Sequence, residues 1–156
     1  MSDIVRIELE DGGIIRAELY EDIAPISAKN FKDLAEKDFY AGSIFHRVIP
    51  GFMIQGGASA KGEDAAPIKG EFASNGVKND LKHTRGVLSM ARTMVKDSGS
   101  SQFFIMHEDS PHLDGEYAAF GKVIEGLDVV DRIAAAPRDR SDRPHEDQVI
   151  KTIVIE

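Results

Sequence analysis

The sequence predicts a mainly β fold, a sandwich or a closed barrel, with a barrel capped by two helices favoured. Many short runs alternate apolar and polar residues or pack four to six apolar residues between Gly, Pro and polar boundaries. Only two stretches carry the apolar stripe of a helix. Fourteen glycines, about nine per cent against a usual share of about seven, fall in pairs and at the edges of those runs, as strand punctuation does. Barrel closure removes the exposed strand edges that invite aggregation.

From Ile4 to Leu9, Val5, Ile7 and Leu9 share one side and Arg6 and Glu8 the other. After Asp11-Gly12-Gly13 the pattern repeats with Ile15, Ala17 and Leu19, which predicts a hairpin with one buried face. Pro25 suits a first helical turn, and Phe31, Leu34 and Ala35 then fall on one stripe, predicting a short helix that ends before Phe39. Strands follow at Ile44–Ile49, Phe52–Gln55, Val87–Met90, Gln102–Met106 and Ala119–Val123. Leu127, Val130, Ile133 and Ala134 predict a second helix from about Leu127 to Ala135, stopped by Pro137. The closing run Val149–Glu156 alternates again. Ala58–Asn79 and Arg138–Asp147 have no period and are expected to be solvated loops.

At 156 residues the chain fits one domain spanning residues 1–156, long enough to bury a core without staples. The absence of cysteine excludes disulfides, thiolate nucleophiles and cysteine-bearing zinc sites. The net charge of −8, from 19 basic and 27 acidic residues, argues against a broad phosphate-binding surface and so against nucleic acid as partner. Acidic residues interrupt every apolar stretch of the opening MSDIVRIELEDGGIIRAELY, which has the form of neither a signal peptide nor a membrane span. A cytoplasmic location is expected, with no membrane partner.

Several chemistries fall away on residues alone. No G-x-S-x-G elbow is present, and Gly99-Ser100-Ser101-Gln102 suits a turn feeding a strand. Gly121-Lys122-Val123-Ile124-Glu125-Gly126 resembles the opening of a phosphate loop, but Leu127-Asp128 follows where Lys and Ser/Thr are required. His46, His83, His107, His112 and His145 lack ligand spacing, so surface or structural roles are expected and no metal is implied.

The stretch from Phe45 to Gly57, FHRVIPGFMIQGG, is the informative one. Alone it reads as a tight hairpin, with Pro50-Gly51 as the turn and Phe and Met as core. One residue resists that account. Alternation places Arg47 on the face of Phe45 and Ile49, where a guanidinium among apolar groups needs an acceptor, and a substrate carbonyl would serve. Strict period-two counting also separates Phe52 from Met53 and Gln55, so the three share a pocket only if the turn redirects Phe52.

Four separated motifs in register carry a resemblance. FHRVIPGFMIQGG at Phe45–Gly57, GVLSMA at Gly86–Ala91, SQFFI at Ser101–Ile105, and LDG at Leu113–Gly115 followed by FGKV at Phe120–Val123 closely resemble the cyclophilin peptidyl-prolyl isomerases, in the family's order and over nearly the whole chain. The resemblance implies an eight-stranded antiparallel barrel closed by two helices. The direct passage Lys37–Gly42 from helix to strand looks like that of compact bacterial members. The implied activity is cis-trans isomerisation of X-Pro bonds in peptides and folding proteins, by a monomer with no cofactor.

Carried over position by position, the resemblance makes Arg47 the catalytic arginine and Gln55 the residue orienting it, with Phe52 beside them. Phe52, Met53, Phe104 and Leu113 would form the pocket for the proline ring. Ala91, Arg92, Thr93 and Gln102 would line the groove for the preceding residues. His112 stands where many members have tryptophan, Tyr117 where many have histidine, and Arg92 replaces a common asparagine; weakened cyclosporin binding is the expected result. The rival expectation, a proline-binding module or holdase without turnover, needs the pocket but not the Arg47–Gln55 donor pair.

Overall fold

Strand β1 (Asp3–Leu9) and strand β2 (Ile14–Leu19) form the expected antiparallel hairpin, with Val5 opposite Ala17 and Ile7 opposite Ile15, all four fully buried. The computed structural model, which describes residues 3–156, continues into helix α1 (Pro25–Glu36), with Pro25 in its first turn and Phe31, Leu34 and Ala35 facing inward. Strands β3 (Arg47–Ile49), β4 (Met53–Gly56), β5 (Val87–Met90), β6 (Phe103–Met106) and β7 (Ala119–Glu125) follow. Helix α2 (Leu127–Ala134) and strand β8 (Ile150–Ile155) complete the order. Each strand falls within about two residues of its sequence-based position, except that β3 starts three residues late.

All eight strands form one antiparallel sheet in the order β3-β4-β6-β5-β7-β2-β1-β8. The closed barrel expected from sequence is not formed: the sheet is an open, curled half-barrel. Its edge strands β3 and β8 do not pair with each other. The chain before β3 touches the chain around the start of β8 only through the Ile44–Val149 bridge and a few neighbouring backbone bonds, including Ile150 N–H to Ser43 O at 2.7 Å. The physical reason is local. Phe45 and His46 leave the extended ladder, so β3 keeps three residues and offers too little edge to close an eighth pairing.

Helix α1 packs on β7 and β8, and α2 against β2, β3 and β4. Phe31 of α1 is the centre of an aromatic cluster, 5.2 Å edge-on from Phe103, 5.3 Å from Tyr40 and 5.4 Å from Phe120 between ring centroids. Pairs in this geometry add about 0.5–1.5 kcal/mol beyond area burial. The Tyr40 hydroxyl avoids a desolvation penalty by donating to Ser101 O at 2.9 Å.

The loop 58–79 departs from its expected solvated state. Its first half is largely exposed, but Gly70, Glu71, Phe72 and Asn79 are buried. Glu71 explains why: α1 has no side-chain cap of its own, and the Glu71 carboxylate accepts from Ser27 N–H (2.6 Å), Ile26 N–H (3.1 Å) and the Ser27 hydroxyl (2.7 Å). A negative group at a helix N-terminus also meets the favourable end of the macrodipole.

Candidate active site

The strands β4, β6 and β5 carry apolar residues on both faces, so each face is packed against a cover. Along β6, Phe103 and Ile105 enter the main core, whereas Phe104 and Met106 join a second cluster with Met53, Val87, Leu113 and Ala119. The segments 72–84 and 107–118 supply further members of that second cluster, Leu81, Leu113 and Tyr117. A cavity of about 180 Å³ opens there, lined by Arg47, Phe52, Met53, Gln55, Ala91, Arg92, Phe104, Leu113 and Tyr117. At about 30 Å³ per water it holds roughly six waters, or one small ring.

The β3–β4 hairpin delivers three of these residues. Pro50-Gly51 forms a type II turn, with Gly51 at φ +80° and Phe52 N–H bonded to Ile49 O at 3.0 Å. Phe52 thus lies in the turn ahead of β4, free of strand alternation, and reaches the same cavity as Met53 and Gln55. Arg47 corrects its sequence-based placement in part. It shares its face with Ile49, as expected, at a cavity lined by Phe52, Met53 and Phe104, but not with Phe45: the break at Phe45-His46 resets the alternation, so Phe45 joins Val48 in the main core and the Arg47 guanidinium stands exposed at the rim.

Arg47 and Gln55 are directly opposite in the β3–β4 register. The guanidinium donates to Gln55 Oε1 at 3.4 Å, and Gln55 Nε2 donates to Gln102 Oε1 at 3.1 Å. Gln55 is therefore held with its oxygen toward Arg47. Among the described residues no carboxylate pairs with Arg47, which leaves most of its donors free at the cavity mouth.

A second, more polar cavity of about 220 Å³ adjoins the first at Gln55, Ala91 and Arg92 and adds Thr93, Ser98, Ser100 and Gln102. Arg92 is the partition. Its guanidinium donates to Glu116 O at 2.7 and 3.1 Å and to Thr93 O at 3.0 Å, and it lies over the rings of Tyr117 (4.6 Å) and Phe72 (4.9 Å). Its donors serve the backbone of two loops.

Eleven of the twelve residues singled out in the sequence line one cavity or the other. His112 lines neither; it is exposed and packs its ring 5.6 Å from that of Phe52. Sequence reasoning missed Ser98 and Ser100, which follow the groove segment Ala91–Thr93. It also missed the support behind Phe104. The buried His83 ring stacks on Phe104 at 6.1 Å and 20°. Its Nδ1 meets Asp114 Oδ1 at 3.1 Å and its Nε2 meets Ser89 Oγ at 2.8 Å. This network assigns the Nδ1–H tautomer, donating to Asp114 and accepting from Ser89. Burial pushes the His83 pKa down, and Asp114 opposes that in part. Among the described residues no group of three or more His, Cys, Asp or Glu is placed to hold a metal ion.

Residues 4–155 match the family model for the cyclophilin-type peptidyl-prolyl cis-trans isomerase/CLD domain. The chain belongs to the cyclophilin family. It is 54% identical over 134 residues to a peptidyl-prolyl cis-trans isomerase of Acinetobacter baylyi, covering 80% of this chain and 69% of that one. The crystal structure of a cyclophilin-type isomerase from Cryptosporidium parvum superposes with a TM-score of 0.86 at 34% identity, covering 100% of this chain and 98% of the other. The structure of that enzyme in the presence of the dipeptide Ala-Pro gives 0.84 at 35% identity, covering 98% of each. This cyclophilin is accordingly a peptidyl-prolyl cis-trans isomerase. No helix among its described residues is long and apolar enough to cross a membrane.

Proposed function

We propose that this isomerase seats the proline ring of an X-Pro segment in the cavity of Phe52, Met53, Phe104 and Leu113 and uses Arg47, oriented by Gln55, as its catalytic donor. The residues before proline lie in the polar groove of Ala91, Thr93 and Gln102, beside Arg92. Proline-containing peptides and folding proteins are the substrates. The single observation carrying this reading is the pair Arg47–Gln55, opposed across β3 and β4 at the mouth of an apolar cavity, with no carboxylate on Arg47 among the described residues.

Rotation about an X-Pro bond breaks no covalent bond; its barrier of about 18–20 kcal/mol is the amide resonance lost on twisting. Shortening tens of seconds to milliseconds takes about 5–7 kcal/mol of preferential binding to the twisted state. In that state the proline nitrogen turns pyramidal and regains a lone pair, to which Arg47 donates directly, or Arg47 holds the proline carbonyl. One charge-assisted hydrogen bond contributes about 1.5–3 kcal/mol, so the arginine does not suffice alone. The planar amide is the more charge-separated form, and the apolar walls disfavour it relative to the twisted one while gripping the ring.

Exchange spectroscopy or a protease-coupled assay on an Ala-Pro peptide tests the assignment. Arg47→Ala is expected to melt like the wild type and to lose one to three orders of magnitude in kcat/KM, about 1.4–4 kcal/mol of transition-state stabilisation. A fully active variant sinks it.

A further inference from the structure

We propose that His107 is a positioning residue for the substrate pocket, fixing the turn that presents Phe52. The inference rests on Phe52 touching the proline ring, and it goes beyond that reading by assigning control of Phe52 to a residue at the far side of the turn.

Phe52 is not carried by a strand. It follows the exposed Pro50-Gly51 turn, where Pro50 has no N–H and the β3–β4 ladder has ended. The turn is instead held from outside the hairpin, twice by one residue, with a longer bond of 3.4 Å from Glu108 N–H to Phe52 O beside them. The Gly51 N–H donates to the His107 ring at Nδ1, 2.8 Å away, and the His107 backbone N–H donates to Phe52 O at 2.9 Å. The imidazole is itself fixed. Its Nε2 meets Asp131 Oδ1 on α2 at 3.1 Å, and Arg85 braces Asp131 with two bonds of 2.7 and 2.9 Å. Arg85 also donates to His107 O at 2.9 Å.

These contacts select one tautomer. Because Nδ1 accepts from Gly51, the proton is on Nε2 and points at Asp131; the Asp131 carboxylate thereby sets the ring for its task at the turn. A side chain that ends short of Gly51 frees one end of the turn while the backbone bond to Phe52 survives. The expected result is a looser Phe52 on an intact fold.

The test compares His107→Ala, His107→Asn and Phe52→Ala with the wild type, using peptide affinity and turnover on an Ala-Pro peptide, melting temperature, and amide and imidazole NMR. Wild-type spectra should show Nδ1 unprotonated and Gly51 hydrogen-bonded. His107→Ala should raise KM about threefold to tenfold, the range of one net hydrogen bond, with kcat within about twofold and the Phe52 resonances broadened or displaced. His107→Asn, whose Oδ1 reaches roughly where Nδ1 stood, should recover most of the affinity. If Phe52→Ala weakens binding but His107→Ala does not, the positioning role is overturned and the pocket reading stands. A protonated Nδ1 in the wild type also overturns it. Unchanged affinity in Phe52→Ala defeats the pocket reading itself, and the role of His107 in the reaction with it.

Discussion

Phe103 and Phe104 are neighbours on one strand with opposite fates. Phe103 points into the core, fully buried, against Phe31, Tyr40 and Phe45. Phe104 is 5% exposed, backed by His83 and met edge-on by Tyr117 at 5.7 Å, with its remaining edge on the cavity. The comparison teaches how a half-barrel makes a binding pocket. One face of the sheet is sealed by the two helices, the other is roofed by loops that stop short of closing, and a single strand serves both.

Substitution of the two should separate their roles. Phe103→Ala should have the largest effect on folding, a loss of about 3–5 kcal/mol from cavity creation at an interior that cannot collapse easily. Thermal or urea melts measure it, and a smaller loss than for Phe104→Ala would reverse the assignment of the two faces. Phe104→Ala should cost less, about 2–3 kcal/mol, and should also weaken peptide binding, since the same ring is floor and wall. Unchanged stability there would remove Phe104 from the packing altogether.

The pocket face should also respond to acid. Burial lowers the His83 pKa below its ordinary value of 6.5, so below about pH 6.5 the unfolded chain binds a proton that the folded chain refuses. The stability linked to neutral His83 is fully present above that pH and is lost as the pH falls toward the folded-state value, by up to about 1.4 kcal/mol per pH unit. His46, lowered by burial and by nearby Arg143 and Arg47, adds in the same direction. Melts of the wild type and of His83→Gln between pH 7.5 and 5 should show a steeper decline for the wild type; parallel curves would show that His83 titrates normally.

The smallest effect is expected at the rim. His112 packs on Phe52 but lines neither cavity, so His112→Trp should tighten cyclosporin by about 0.5–1.5 kcal/mol, up to roughly tenfold, while short peptides turn over nearly unchanged. Equal inhibition constants for the two proteins would take His112 out of the ligand site.

Where neighbours in sequence decide the structure, the chain was legible. The alternation of β1 and β2 and the stripes of both helices sufficed, because each reports which side meets the core. The motif resemblance brought together eleven residues that periodicity alone would have left in separate strands. Phe45 was wrongly put on the face of Arg47 because two irregular residues ahead of β3 reset the count, and closure of the barrel was overestimated for the same reason. Glu71, His83 and His107 were opaque. Their partners lie 44, 31 and 56 positions away, and no local pattern distinguishes a histidine that props a pocket from one in water.

The Glu71 cap has a consequence for biosynthesis. The start of α1 emerges from the ribosome 44 residues before the carboxylate that completes it, an interval of roughly two to nine seconds at about 5–20 residues per second. Through that interval a twelve-residue helix has no side chain of its own to close its first turn, and helices this short are marginal in water. The nascent segment therefore waits for its distal half, and any change that slows docking of the Gly70–Phe72 stretch lengthens the time for which Phe31 and Leu34 remain available to chaperones.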